Sequence, residues 1–300
     1  MELWIFASVA AALFQTVRFM LQKVLSTDVL STAGSTFARF AYAAPAAMLL
    51  TVCYLWLRTA DLPQLQGAFW FYAWQGGLAQ ILATVCVVAL FRQRNFAVGI
   101  TFKKTEVIQT AIVGVALFGA EVSLAGWGAI LIGLVGLLLL SRTPGTHAGL
   151  WAGLTSRATG LGLLSGLLFA ISATSYRAAS LEIASEDALL RAGVTLTCVT
   201  SSQLLAMALW LRWREPGQIT AVWRSRRIGI WVGLTSMAGS FGWFLAFTLQ
   251  TAAYVKAVGQ IELIFSLMAS VLFFKERVTI RELVGIGFLA LSILTFVLVL

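Results

Sequence analysis

Chemistry in this chain has to come from the few ionisable side chains set deep within apolar stretches. One stretch, 95–118, carries Lys103, Lys104 and Glu106 near its middle, and another, 254–274, carries Lys256, Gln260 and Glu262. Charge is costly in an apolar environment, and where it persists it marks a pathway or a partner. On a helix, Lys103, Glu106 and Thr110 fall along one face at i, i+3 and i+7, while Lys104 points elsewhere. Two readings of that face are open. It can be a charged wall that grips a zwitterion or relays a proton, or Lys103 and Glu106 can neutralise each other as an internal ion pair. In the second stretch Lys256 and Gln260 share a face at i, i+4. Lys256 lies close enough to the end to snorkel to an interface. Glu262 is deeper and is expected to face a cavity. Glu106 and Glu262 are the carboxylates deep enough to carry a proton.

Other deep polar groups extend the set. Gln80 is the most central glutamine of its stretch and a candidate wall residue, whereas Gln15, Gln75, Gln109 and Gln203 suit hydrogen bonds between helices. Tyr176 and Trp243 lie far enough inside to stack an apolar or aromatic molecule, unless they pack against lipid. Arg18, Arg39 and Arg177 can each receive a carboxylate bidentately or pair with a carboxylate of a neighbouring helix. The candidate binding set is therefore Gln80, Lys103, Glu106, Tyr176, Trp243, Gln260 and Glu262.

Enzyme signatures are missing. His147 is the single histidine, so there is no HExxH and no histidine-based triad, and neither a Walker P-loop nor a paired-aspartate motif is present. Asp28, Asp61 and Asp187 are isolated. Cys53, Cys86 and Cys198 have no CxxC spacing and read as small buried hydrophobes. No enzymatic activity, metal or cofactor is expected.

The elements that must hold these residues are membrane spans. Hydrophobic residues make up 60% of the chain, charged residues 11%, and the mean hydropathy is +0.91. That is more apolar surface than a soluble chain of 300 residues can cover, and a bilayer supplies the missing solvent. Ten apolar blocks reach spanning length: 3–25, 32–57, 67–91, 95–118, 123–140, 158–181, 188–211, 228–250, 254–274 and 280–299. The first has no basic leader and no small-residue cleavage site, so it reads as a retained span. Gly162xxxGly166 and Gly229xxxGly233 permit close helix approach. Most tryptophans lie near block ends, as in an interfacial belt.

The halves echo each other. Block four ends Val115-Ala116-Leu117-Phe118-Gly119-Ala120-Glu121, and block nine ends Val271-Leu272-Phe273-Phe274-Lys275-Glu276. Gly133 and Gly287 follow at similar distances, and Ala97…Glu106 lies over Ala253…Glu262. Glu121 and Glu276 stand where a carboxylate would cap the N-terminus of the next span. An odd number of spans per half starts the second half on the opposite side of the membrane, the precondition of an inverted repeat. The expected architecture is all-α, with ten transmembrane helices in two inverted five-helix repeats. Residues 1–145 form the first repeat and 146–300 the second, within one transmembrane unit.

This pattern, an apolar run ending Phe-Gly-x-Glu before a glycine-bearing span, resembles the drug/metabolite transporter superfamily. Its two-repeat, ten-helix EamA-type exporters are the nearest group, and among them the YddG-type amino-acid exporters. The residues carrying the likeness are Phe118, Gly119, Glu121 and Gly133 in one half and Phe273, Glu276, Gly285 and Gly287 in the other. The family often has prolines in its fourth and ninth helices, whereas the prolines here are Pro45, Pro63, Pro144 and Pro216. The resemblance implies export of small metabolites, amino acids first, by alternating access around a central cavity. The expected partners are that small molecule and the bilayer, with the protein as a monomer in the inner (plasma) membrane. Competing readings are efflux of cationic drugs, which would want an unpaired deep carboxylate, and a membrane-embedded enzyme acting on lipid.

Orientation follows from Lys and Arg. The net charge of +9 lies in the connections, where it sets topology and meets anionic headgroups, so no nucleic-acid partner is expected. Thirteen basic residues flank odd-numbered loops (Lys23, Arg92, Arg94, Arg142, Arg157, Arg212, Arg214, Arg224, Arg226, Arg227, Lys275, Arg277, Arg281) against Arg58, Arg191 and Lys256 on the even side. The odd loops are expected in the cytoplasm and both termini outside. A C-terminal reporter that works only in the cytoplasm should therefore stay silent, and a signal from it would reverse this topology.

Overall fold

The structure is a computed structural model describing residues 2–59, 61–93, 96–103, 105, 106, 109, 124, 128, 131–133, 135, 136, 139, 156–250 and 252–299. Among these residues it is all-helical, with helices α1 Leu3–Asp28, α2 Thr32–Arg58, α3 Phe69–Phe91, α4 Phe96–Lys103, α5 Arg157–Leu181, α6 Ala188–Arg214, α7 Gln218–Arg224, α8 Arg226–Leu249, α9 Ala252–Val258, α10 Glu262–Met268 and α11 Ile280–Val299. Six of them (α1, α2, α3, α5, α6 and α8) are long and apolar enough to cross a membrane. Their outer faces carry large apolar side chains, such as Trp56 at 78% and Leu209 at 72% exposure. Arg18, Lys103, Glu106 and Glu262 are meanwhile all but sealed inside. That distribution inverts the soluble pattern and fits lipid as the solvent. Cys53 is exposed on the outer face rather than buried.

Block nine is not one continuous helix. Between α9 and α10 the chain tightens into a 3₁₀ turn over Gly259–Ile261, and after α10 it widens into a π turn over Ala269–Phe273. Such departures from α geometry interrupt a span without a proline. In block four, where α4 ends, the N–H of Thr105 donates to the Phe102 carbonyl at 3.2 Å, a bond of the same tightened type. The remainder of block four beyond Gln109, Glu121 and most of block five lie outside the described residues.

Two long pairs dominate the packing, α3 against α5 and α1 against α8, while α2 lies between α6 and α8. Small residues set these distances. A side chain at Gly242 would run into the Ala7 carbonyl at 2.8 Å, and one at Gly166 would meet the backbone N of Glu106 at 3.0 Å. Backbone contact of this kind drives helix association in lipid, where apolar burial gives little. The connections tie in pairs as well. Leu65 and Ile183 form an antiparallel bridge, flanked by Gln66 N–H to Glu182 O at 2.9 Å and Ala184 N–H to Gln64 O at 3.1 Å. At another join Ser31 donates its hydroxyl to Glu215.

Caps follow local chemistry. Asp187 starts α6, accepting from the N–H groups of Leu189 and Leu190 at 2.9 and 3.3 Å and from the Tyr54 hydroxyl at 2.6 Å. Burial pushes its carboxyl up, but those bonds and nearby Arg58 outweigh it and hold the group below its ordinary value. Glu276 does not cap the last helix as expected. It pairs with Lys23 and accepts from the Ser270 hydroxyl, and α11 is opened instead by a Thr279/Glu282 capping box, in which Thr279 N–H donates to the Glu282 carboxylate at 2.9 Å.

At Gly233 an added Cβ would stand 2.2 Å from the Tyr42 Cβ and 2.8 Å from its backbone carbon, whereas at Gly160 it meets open space. Gly233→Ala should therefore lower stability by about 1–3 kcal/mol, while Gly160→Ala should be neutral or stabilising by up to about 1 kcal/mol. Thermal unfolding of the two variants in detergent checks the contrast.

Candidate functional site

Among the described residues, Arg18, Arg39, Lys103 and Lys256 meet Glu106 and Glu262 in the middle of the bundle. The two carboxylates do not pair within their own helices. Lys103 Nζ lies 3.0 Å from both oxygens of Glu262, and Lys256 Nζ lies 3.0 Å from Glu106 Oε1. Each glutamate is thus held by the lysine of the other block, and among the described residues the ion pairs run across the blocks in place of the internal Lys103–Glu106 pair that i, i+3 spacing offers. Lys256 does not snorkel outward either. It turns inward, between Glu106 and the rings of Trp243 and Phe247, each 5.9 Å from its Nζ. Lys103 lies 5.2 and 5.0 Å from the rings of Phe19 and Phe169. Aromatic faces add cation–π attraction to each ion pair.

Two hydrogen-bonded nodes flank these rungs. Gln15 on α1 donates to Glu262 at 3.0 Å while its oxygen accepts from Trp243 Nε1 at 3.2 Å. Gln80 on α3 accepts from the Tyr176 hydroxyl at 3.0 Å and from Gln203 at 3.1 Å. Trp243 reaches the ninth block because Gly259 has no side chain, since a Cβ there would meet the ring at 2.6 Å. Tyr176 stacks on Phe244 with centroids 4.5 Å apart. Both Tyr176 and Trp243 are buried, so neither faces lipid.

Between the nodes lies a small cavity of about 30 Å³, room for a water or two. Its wall comes from blocks one, three, four, six, eight and nine, through Gln15, Gln80, Lys103, Glu106, Phe169, Ser172, Ala173, Tyr176, Ser240, Trp243, Phe244, Phe247 and Lys256. Of the residues singled out in the sequence, Gln80, Lys103, Glu106, Tyr176 and Trp243 line it. Glu262 stands one layer back, behind Lys103. Gln260 is buried but turns to its own helix, donating to the Lys256 carbonyl at 2.9 Å, and does not reach the cavity. Gln15, Ser172, Ser240 and Phe247 were not singled out as wall residues, and nothing in their spacing distinguishes them from packing side chains.

The arginines take neutral partners. Arg39 donates Nε to Ser236 at 2.8 Å, Nη1 to Thr84 at 2.9 Å and Nη2 to Ser240 at 3.3 Å. Arg18 donates to Gln22 at 3.0 Å and to Gln15 at 3.5 Å, and Arg177 to the carbonyls of Phe247 and Gln250 at the end of α8. An ion pair with a neighbouring carboxylate, open to Arg18, Arg39 and Arg177 from sequence, is not what they form among the described residues. No group of three or more potential metal ligands occurs among those residues.

No family model matches this sequence, and neither does any curated protein. The chain is similar to a solved structure described as "Crystal structure of protein", with a TM-score of 0.62 and 12% identity over 97% of this chain and 95% of the other. At that identity the likeness concerns the fold alone.

The cross-pairing makes a quantitative expectation. Removing one partner strands a buried charge at about 3–5 kcal/mol, so Glu262→Gln should be strongly destabilising and Lys103→Met added to it should recover most of the loss. Combining Lys103→Met with Glu106→Gln should recover none. A double-mutant cycle by thermal unfolding tests this, and equal recovery in both doubles would dismiss the pairing.

Proposed function

We propose that this multi-pass membrane protein is a secondary transporter exporting a small metabolite, an amino acid with a preference for hydrophobic or aromatic side chains, by alternating access. The observation that carries the reading is the charged, aromatic-lined cavity at mid-bundle, whose ion pairs join residues of the two halves of the sequence. Cations and carboxylates side by side suit a zwitterion, and the Tyr176–Phe244 and Trp243–Phe247 stacks suit an apolar side chain.

Ten spans in two inverted repeats are part of the same proposal. Under an exchange of each block with the one five places on, the α1–α8 pair becomes the α5–α3 pair, and these are the two dominant contacts. The second and seventh blocks, α2 and α6, pair with each other, as elements on a two-fold axis would. The tightened turns at Phe102–Thr105 and at Val258–Ile261 stand at the offset that lays Glu106 on Glu262. The bridge between Leu65 and Ile183 puts the start of α3 and the end of α5 at one end of the bundle, the parity that two spans between them give.

Alternating access requires the cavity to widen on each side in turn. Cation efflux is disfavoured, because each deep glutamate is engaged by a lysine and the arginines add further positive charge. Lipid-directed chemistry is disfavoured because the carboxylates lie in the bundle centre rather than at an interface. With both carboxylates engaged, facilitated diffusion is the simpler coupling. In proteoliposomes, labelled amino acids should show saturable flux and exchange that does not change with an imposed pH gradient. Gradient-driven accumulation abolished by Glu106→Gln would overturn the uncoupled mechanism, and absence of flux for every amino acid would overturn the substrate class.

A further inference from the structure

We infer that Arg39 is the group that receives the carboxylate of the transported molecule, an inference that deepens the transport reading and rests on it. Arg39 is 2% exposed, on α2, with all three guanidinium nitrogens held by hydroxyls from α3 and α8. A guanidinium buried among neutral partners is expensive to keep. Packing alone gives no reason for it, since Met would fill such a place without the charge. One of the hydroxyls, Ser240, lines the cavity, and another, Thr84, donates to the backbone carbonyl of Gln80 on the cavity helix α3. Arg39 therefore lies directly behind the wall.

The four cations described at the centre are not equivalent: Arg18, Arg39 and Lys103 are buried and Lys256 half-buried. Lys103 and Lys256 each hold a glutamate, and an incoming carboxylate would have to displace an ion pair. Arg18 shares Gln15 with Glu262, whose charge lies within its electrostatic reach. Arg39 hydrogen-bonds to hydroxyls only, among the described residues, with the Phe40 ring 5.0 Å from its guanidinium carbon. Exchanging the 3.3 Å bond to Ser240 for a carboxylate oxygen replaces a neutral acceptor by a charged one, roughly doubling the strength of that bond. Thr84 and Ser236 would keep the guanidinium in place meanwhile. The cavity need only widen at Ser240 for the exchange to occur, and the fork geometry of arginine matches a carboxylate in two bonds. The amino acid's side chain would then lie toward the Tyr176–Phe244 stack.

The test is binding to detergent-purified protein, measured with labelled L-phenylalanine and with L-phenylalaninamide, which lacks the negative charge. The wild type should bind the acid and discriminate against the amide, and Arg39→Gln should weaken acid binding about tenfold to a hundredfold while leaving amide binding within about twofold. Since Arg39→Gln also removes three interhelical bonds, Ser240→Ala serves as a second variant that keeps the charge. It should tighten acid binding, because the neutral acceptor that competes for the guanidinium is gone, whereas unchanged or weaker acid binding in Ser240→Ala would count against the exchange and fit a purely structural Arg39. Equal binding of acid and amide by the wild type, or unchanged acid binding in Arg39→Gln, would overturn the assignment. Flux in proteoliposomes is scored separately. Acid binding that depends on Arg39 without any flux would sink the transport reading alone, and flux with unaltered acid preference in Arg39→Gln would sink the carboxylate role alone.

Discussion

Charge inside a hydrocarbon slab must be compensated by the protein itself, and the crossed pairs Lys103–Glu262 and Lys256–Glu106 are where this bundle meets that demand. Each pair spans two chain segments about 150 residues apart or more, so neither can form until the two halves have come together. The surrounding architecture serves that meeting. Gly162 lets α5 press on the Phe102 side chain and Gly166 on the backbone of the fourth block, and Gly259 lets the Trp243 ring lie against the ninth. A larger residue at any of these positions would push the segments carrying the charges apart. Gln15 then fixes the Glu262 carboxylate from a third direction. Apolar burial cannot arrange this, because lipid is as good a solvent for leucine as the interior is. Polar geometry therefore specifies the bundle, and the apolar exterior specifies only its solvent.

The sequence carried the parts of this that are one-dimensional. A stretch of about 20 apolar residues is a local property, so the blocks at 32–57, 188–211 and 280–299 coincide with α2, α6 and α11 to within a few residues. The burial of Tyr176 and Trp243 was half legible, since depth within a block can be counted whereas the direction of a side chain cannot. What failed was everything set by the register of one helix against another. Lys103 and Glu106 at i, i+3 offered a local pair, and only packing of the fourth against the ninth block shows that each looks across instead. Lys256 was placed near an interface by its distance along the chain, but the 3₁₀ turn and its glutamate partner draw it inward. Glu276 is a different kind of failure. The Thr279-Ile-Arg-Glu282 capping box stood in the sequence, and applying the Thr-x-x-Glu pattern there would have freed Glu276 to be a partner for Lys23.

The interruption of block nine links these features to function. A continuous helix would satisfy its own backbone and leave no reason for Gln260 to turn to the Lys256 carbonyl. Tightening over Gly259–Ile261 changes the angular relation between Lys256 and Glu262, so that the lysine addresses the cavity and the glutamate lies behind Lys103. A turn of this kind is held by few bonds and can change its pitch at little cost, which a regular helix cannot. On the transport reading, motion of this segment would move a cation and a carboxylate together and conserve the charge of the site.

That conservation bears on coupling. A proton carrier must at some point expose a carboxylate whose charge is not already answered, and here each carboxylate has its answering cation on the opposite half. If the halves rock apart on one side, the rung on that side opens and its lysine and glutamate become available together, as a matched dipole instead of a lone base. A zwitterion is complementary to such a dipole, with its ammonium toward the glutamate and its carboxylate toward a cation. On the proposed reading its carboxylate goes to Arg39, whose hydrogen-bond partners are neutral, so neither lysine has to give up its glutamate to the substrate's negative end. A lone proton would leave the lysine charge unbalanced, and a simple cation would compete with that lysine for one glutamate. On the transport reading, the pairing that makes buried charge affordable in lipid would also select the kind of molecule the site admits.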